Sequence, residues 1–265
     1  GNATDIGPIE ATVNGSLTAE NAESLNKDAW FLYSYESSSL DALKTEGTVA
    51  QASINGNALS SVLGNLRLNK TYYYVAVARV HDKEVYGTVA SFTTKTRNVP
   101  SGAVELELSV LWSTCNFGAS VPEEYGDYYA WGETETKENY SWGTYKWCNG
   151  SNTTLTKYNN SSSYGTVDNK NVLEPEDDVS HVKLSGSWRM PTDAEWTELR
   201  KNCTWKSTTQ NGVRGMLVTS EKNGSSIFLP AAGYRDAGSL CRDGSSGYYW
   251  STSLNKGLPY RAWFV

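Results

Sequence analysis

Gly186-Ser187-Trp188-Arg189-Met190-Pro191-Thr192-Asp193-Ala194-Glu195-Trp196 reads as the entrance to a helix. Thr192 is an N-cap residue, and Glu195 stands three positions on, where a capping box places its carboxylate. Trp196 and Leu199 fall on one helical face, and the run ends near Asn202. Arg189, just before the cap, can bridge to acidic loops. This is the one convincing helix of the second half, set among long loops and scattered tryptophans, so it marks that half as α+β.

Working outward, nine of the ten tryptophans lie from Trp112 onward, which gives this half its own aromatic core. Ala103 to Leu108 alternates strictly and reads as its first strand. Before it, Lys95-Thr96-Arg97-Asn98-Val99-Pro100-Ser101-Gly102 is polar, carries Pro and Gly, and reads as a linker. The predicted domains are therefore 1–98 and 99–265. Residues up to about Thr96 have a different grammar of short alternating strands between polar turns. Examples are Ala11–Leu17 and Ala29–Tyr35, with Asn55-Gly56 as a strong turn. Thr71–Val80 and Val85–Thr93 read as a strand pair joined by the polar loop His81-Asp82-Lys83-Glu84. About seven strands in about ninety residues predict an all-β antiparallel sandwich.

The run Leu66-Arg67-Leu68-Asn69-Lys70-Thr71-Tyr72-Tyr73-Tyr74-Val75-Ala76-Val77 resembles the penultimate-strand region of fibronectin type III domains, with Tyr72 as the tyrosine-corner residue and Tyr74 facing the same side. Such modules are mostly spacers. Five runs of the second half resemble another family. They are Leu108–Ala119, Glu124–Glu133 with its Trp131-Gly132-Glu133, the stretch at Trp188, Phe228–Arg235 and Gly247–Ser253. Together they are similar to the Fibrobacter succinogenes-type major paralogous domain of exported Bacteroidetes proteins. That family is related to the formylglycine-generating sulfatase-modifying factors and shares their variant of the C-type lectin fold. The resemblance implies a C-type-lectin-like domain with long loops whose C-terminal segment contributes to a ligand face. It further implies an exported protein, on the cell surface or in the periplasm, lipid-anchored through a segment removed ahead of Gly1. Family members run on past the equivalent of Val265, so Arg261–Val265 reads as an apolar edge with three explanations: the chain is cut short there, another chain covers the edge, or the fold closes differently.

Composition narrows the function. The net charge is −6 with no dense basic run, which argues against nucleic acid and anionic membranes as partners. No segment approaches the roughly 18 apolar residues of a membrane span, so direct insertion is not expected. Ten Trp and seventeen Tyr against five Phe favour rings that carry a polar handle, suited to half-buried positions and to sugar- or protein-facing surfaces.

The enzyme reading rests on the sulfatase-factor relatives, whose catalysis uses two nearby cysteines that hold copper. Here Cys241 stands without a second cysteine after it, and Cys115, Cys148 and Cys203 are far off in sequence. Nucleophile-elbow, zinc-protease and Walker motifs are absent. Catalysis is not expected. Glu174-Pro175-Glu176-Asp177-Asp178 offers carboxylates for Ca²⁺, with Glu174, Glu176, Asp177 and Asp178 as the ligands. The competing reading has Pro175 starting a short helix through about Lys183, with the acids complementing its N-terminus. No other cofactor is implied. Two Tyr/Trp clusters in Gly/Ser/Asn-rich frames have the mix that paratopes use. The candidate ligand-binding residues are Tyr140, Trp142, Tyr145, Tyr234, Tyr248, Tyr249 and Tyr260. The expected partner is a glycan or a host or bacterial surface protein. The alternative is a structural or assembly module whose rings are all core.

Overall fold

The computed structural model describes residues 1–18, 25–80, 82–184 and 186–265, and they form a sheet-rich chain with few helices. His81 of the expected hairpin loop lies outside the described residues. The chain divides into two compact units, Gly1–Val99 with Glu107–Ser109, and Pro100–Leu106 with Val110–Val265. Among the described residues no helix is long and apolar enough to cross a membrane.

In the first unit, β1 (Ala11–Ser16), β5 (Ala58–Leu63) and β4 (Ser53–Asn55) make one antiparallel sheet. A second sheet is centred on β6 (Thr71–Val80), with β2 (Leu25–Ser34) and then β3 (Thr48–Gln51) on one side. On the other edge of β6 lie β7 (Lys83–Tyr86) and β8 (Ala90–Thr93). Period-2 alternation sends Ala11, Val13, Phe31, Leu59, Tyr72, Tyr74 and Phe92 into one core shared by both sheets. At the start of β6 the Tyr72 hydroxyl accepts the Arg67 amide at 2.9 Å, and Leu66 is buried beside this corner.

Two expectations for this unit need correcting. It is not all β, because α1 (Leu40–Glu46) packs Leu43 against Leu32, Val75 and Val77 on the outer face of the second sheet. Ser39 caps α1 through the Ala42 amide. Nor is Val85–Thr93 a single strand. Tyr86 pairs with Val77 but Ala90 pairs with Tyr74, a slip of one residue that divides the edge into two strands. The slip is a bulge, and Gly87 bridges it by donating its amide to the Ala76 carbonyl at 2.9 Å.

In the second unit the expected strand Ala103–Leu108 shortens to β9 (Ala103–Val104), paired with β10 (Trp112–Ser113). Glu107 has φ 54°, which breaks an extended backbone. The main sheet is the antiparallel meander β11 (Cys203–Gln210), β12 (Val213–Ser220) and β13 (Ser226–Pro230). The hairpins β14 (Tyr234–Asp236) with β15 (Ser239–Cys241), and β16 (Trp250–Leu254) with β17 (Ala262–Phe264), follow. Of the explanations for the Arg261–Val265 edge, the structure shows a closure within the chain, Phe264 opposite Trp250 and Ala262 opposite Leu254.

The acidic run forms a 3-10 turn (Pro175–Asp177) and then α2 (Val179–Lys183). Helix α3 (Asp193–Asn202) begins at Thr192 with both halves of the capping box made. Glu195 receives the Thr192 amide at 2.7 Å and two bonds from Arg189 at 2.5 and 2.9 Å. Arg189 therefore pins the cap itself, not a distant loop. Trp196 and Leu199 are the buried face of α3.

Two tests follow from these contacts. Tyr72→Phe should lower the stability of the first unit by about 1–2 kcal/mol in denaturant unfolding, because it leaves the Arg67 amide without its acceptor. Burial raises the Glu195 pKa, but the Arg189 guanidinium and the Thr192 amide outweigh it and hold the group below its ordinary value. A depressed carboxylate stabilises the fold above its unfolded pKa of about 4.3 and loses that contribution as pH falls through the folded value. Glu195→Gln should cost about 1 kcal/mol at neutral pH, after discounting for the half-exposed guanidinium, and the difference from wild type should shrink below about pH 4 in thermal melts.

Candidate functional site

The long loops of the second unit are held by polar tips of aromatic rings. Trp131-Gly132-Glu133 grips Tyr145-Lys146-Trp147 residue by residue. The Tyr145 hydroxyl donates to the Trp131 carbonyl at 3.0 Å and the Trp147 indole to the Gly132 carbonyl at 2.7 Å, while the Lys146 amide donates to the Glu133 carboxylate at 2.8 Å. Gly132 has φ 73°, and a Cβ there would press on the Trp147 ring at 3.2 Å, so glycine is required between the two anchors. The Trp131 indole in turn donates to the Ser251 carbonyl at 2.7 Å.

Against this frame, one set of rings faces outward. Tyr234 on β14 stands edge-on to Tyr248 with centroids 5.0 Å apart. Tyr248 lies 5.5 Å from Phe264 on β17, and Phe264 lies 6.0 Å from its cross-strand partner Trp250 on β16. Tyr234, Trp250 and Phe264 are 36%, 37% and 51% exposed, with Tyr248 half-buried between them. The Trp250 indole is satisfied by the Tyr129 carbonyl at 3.1 Å, which fixes the ring while leaving its face to solvent. Two edge-to-face pairs and one tilted pair at these distances make a rigid aromatic surface.

Of the sequence-predicted residues, Tyr234 and Tyr248 belong to this face. Tyr249, next in chain, turns the other way and donates to the Pro230 carbonyl at 2.5 Å, and burial pushes its hydroxyl up. Tyr140 is half-buried and donates to the Tyr128 carbonyl at 2.5 Å. Burial likewise raises Tyr145. Trp142 is 38% exposed but sits apart, its ring edge-on to Tyr145 at 5.6 Å. Tyr260 is half-buried against Tyr164 at 5.2 Å. Phe264 was not among the expected site residues. The signal that could have found it is the pairing of Ala262–Phe264 with Trp250–Leu254, which places its ring beside Trp250.

The acidic run does not converge. Asp177 is buried and accepts from Tyr158 at 2.6 Å and Lys157 at 2.5 Å. Glu174 pairs with Lys157 and Lys170, whose ammonium groups hold it down at about 2. Burial alone would lower Lys157, but Asp177 and Glu174 outweigh it and raise the group. Asp178 caps α2 and also accepts the Met190 amide at 2.8 Å, while Glu176 is exposed on the 3-10 turn. Among the described residues no group of three or more His, Cys, Asp or Glu is placed to hold a metal ion. All four thiols are free: Cys203 is buried, which pushes it up to about 11, and Cys241 lies half-buried on β15.

No family model matches the chain, and no curated protein matches it. Two solved structures share part of its outline, both of the sensor domain of the anti-sigma factor RsgI4 in Pseudobacteroides cellulosolvens. One, a short form, is 15% identical and covers 37% of this chain and 91% of its own, with a TM-score of 0.27. The solution structure is 12% identical and covers 49% and 96%, with a TM-score of 0.28. Neither likeness bears on the role of this chain.

Because lysines and backbone amides already occupy Glu174, Asp177 and Asp178, calcium would have to displace an ammonium from a buried pair. Titration with millimolar Ca²⁺ should leave the thermal midpoint unchanged, and a calcium-dependent rise would restore the acidic run as a metal site.

Proposed function

We propose that the chain is a non-catalytic binding protein of an exported surface, and that its second unit recognises a glycan or a surface protein through the Tyr234–Tyr248–Phe264–Trp250 face. The reading is carried by one observation: four aromatic rings in contact one with the next, the three that are more than a third exposed standing on paired strands and Tyr248 on the loop between them. Rigid aromatic surface costs little conformational entropy on binding, which is why such residues dominate recognition sites. Its ancestry, on this reading, is that of the major paralogous domains with their C-type-lectin-like fold, behind a fibronectin type III-like spacer. The reading involves no cofactor and no chemical step.

The structural-module alternative draws support from Tyr140, Tyr145 and Tyr249, whose hydroxyls are committed to main-chain carbonyls of the unit itself. A glycan array and a surface-protein pull-down on the full chain separate the two. Trp250→Ser and Phe264→Ser should each weaken capture about tenfold or more while leaving the far-ultraviolet spectrum unchanged. Capture that survives both substitutions, or no capture at all, would favour the structural module.

A further inference from the structure

A second candidate site lies under the loop that carries Tyr248. Strand alternation places Trp205, Ser207 and Thr209 of β11 on one face of the meander, with Met216 opposite Ser207 and Arg214 opposite Thr209. Leu229 of β13 continues that row beside Met216. Toward the other end of this face Val218 and Ile227 are buried core. At this end the face is open, and with the loop Gly244–Tyr249 it bounds a cleft of about 640 Å³, within the range of small-molecule sites.

The opposite wall is preformed. The Gly244 amide donates to the Ala231 carbonyl and the Gly233 amide to the Ser246 carbonyl, both at 2.7 Å, and the Tyr249 hydroxyl ties the loop to Pro230. Gly233 sits at φ 67°, where a Cβ would collide with the Cys241 carbonyl, so this close approach needs glycine.

The lining has a definite chemistry. Met216 and Leu229 are a half-buried apolar floor, with the Trp205 ring beside them. The hydroxyls of Ser207, Thr209 and Ser246 have no partner among the described residues, and neither has the Arg214 guanidinium. That is notable in a chain where 29 acids outnumber 23 bases. A bare phosphate or sulfate would leave the apolar floor unused. A neutral sugar would leave the guanidinium unused. A sugar ring carrying a carboxylate uses both, with its C–H face on the floor and ring, its hydroxyls on the Ser/Thr rim, and its carboxylate on the fork of Arg214.

We propose that this cleft binds an acidic sugar of the hexuronate type. The site is separate from the outward aromatic face and does not depend on it. The test is an amide-NMR titration of the full chain with methyl β-glucuronide and, as its neutral counterpart, methyl β-glucoside. The glucuronide should shift the amides of Ser207, Thr209 and Ser246 and bind about tenfold more tightly, the worth of one charge-assisted contact. Arg214→Gln, a change at an exposed side chain, should reduce the glucuronide to the affinity of the glucoside. Thr209→Trp should block both sugars by filling the cleft, and Trp250→Ser should leave the preference intact. Equal affinity for the two sugars, no shifts with either, an unchanged preference in Arg214→Gln, or its loss in Trp250→Ser would each overturn the proposal.

Discussion

The second unit depends on aromatic N–H and O–H groups that donate to main-chain carbonyls. Between β10 and α2 the chain runs for some sixty residues with isolated β-bridges but no strand, so most of its carbonyls lack the ladder that a sheet would supply. The indoles of Trp147 and Trp250 and the hydroxyls of Tyr140 and Tyr145 supply donors to four of them instead, while the Trp131 indole and the Tyr128 hydroxyl reach from this stretch to the Ser251 and Ala232 carbonyls. Each of these rings buries apolar area and satisfies a carbonyl in one step. Phenylalanine could do only the first, which gives a physical reason for the excess of Tyr and Trp over Phe.

The same constraint sorts scaffold from candidate surface. Rings whose polar tips are spent inside the unit, such as Tyr145 and Tyr249, are anchors. Trp250 is an intermediate case, with its indole nitrogen bonded inward and its face left open. Tyr249 separates the two candidate sites: Tyr248 and Trp250 turn toward the aromatic face, while Tyr249, between them in the chain, lines the cleft. In the acidic run, burial next to lysines turns carboxylates that could serve a metal into structural counter-ions. Asp177, with Lys157 and Tyr158 upon it, locks the 3-10 turn to the loop before it.

Some of this was legible residue by residue. Thr192 and Glu195 announced α3 because a capping box is a contact between residues three apart. Tyr72 was expected at a corner through the fibronectin type III resemblance, and the contact it makes there, with the Arg67 amide five residues away, is also a local one. Helix α1 was missed although Ser39, Leu40 and Leu43 carry its cap and apolar face, because seven residues between two strands give too few turns for the period to stand out. The bulge at Gly87 was missed because Val85–Thr93 has a strand composition throughout. The slip exists only in its pairing with β6.

By itself the sequence determined two grammars, the cap of α3, the alternating strands of the first unit and the stock of aromatic residues from which any site must be built. Tertiary structure alone decided which aromatics became surface. Trp131 and Ser251, or Trp250 and Tyr129, meet across more than a hundred residues. Nothing in the local pattern around Tyr248 or Tyr249 distinguishes an outward ring from an inward one. That choice follows from where the distant carbonyls lie once the chain has closed, and short-range spacing does not encode it.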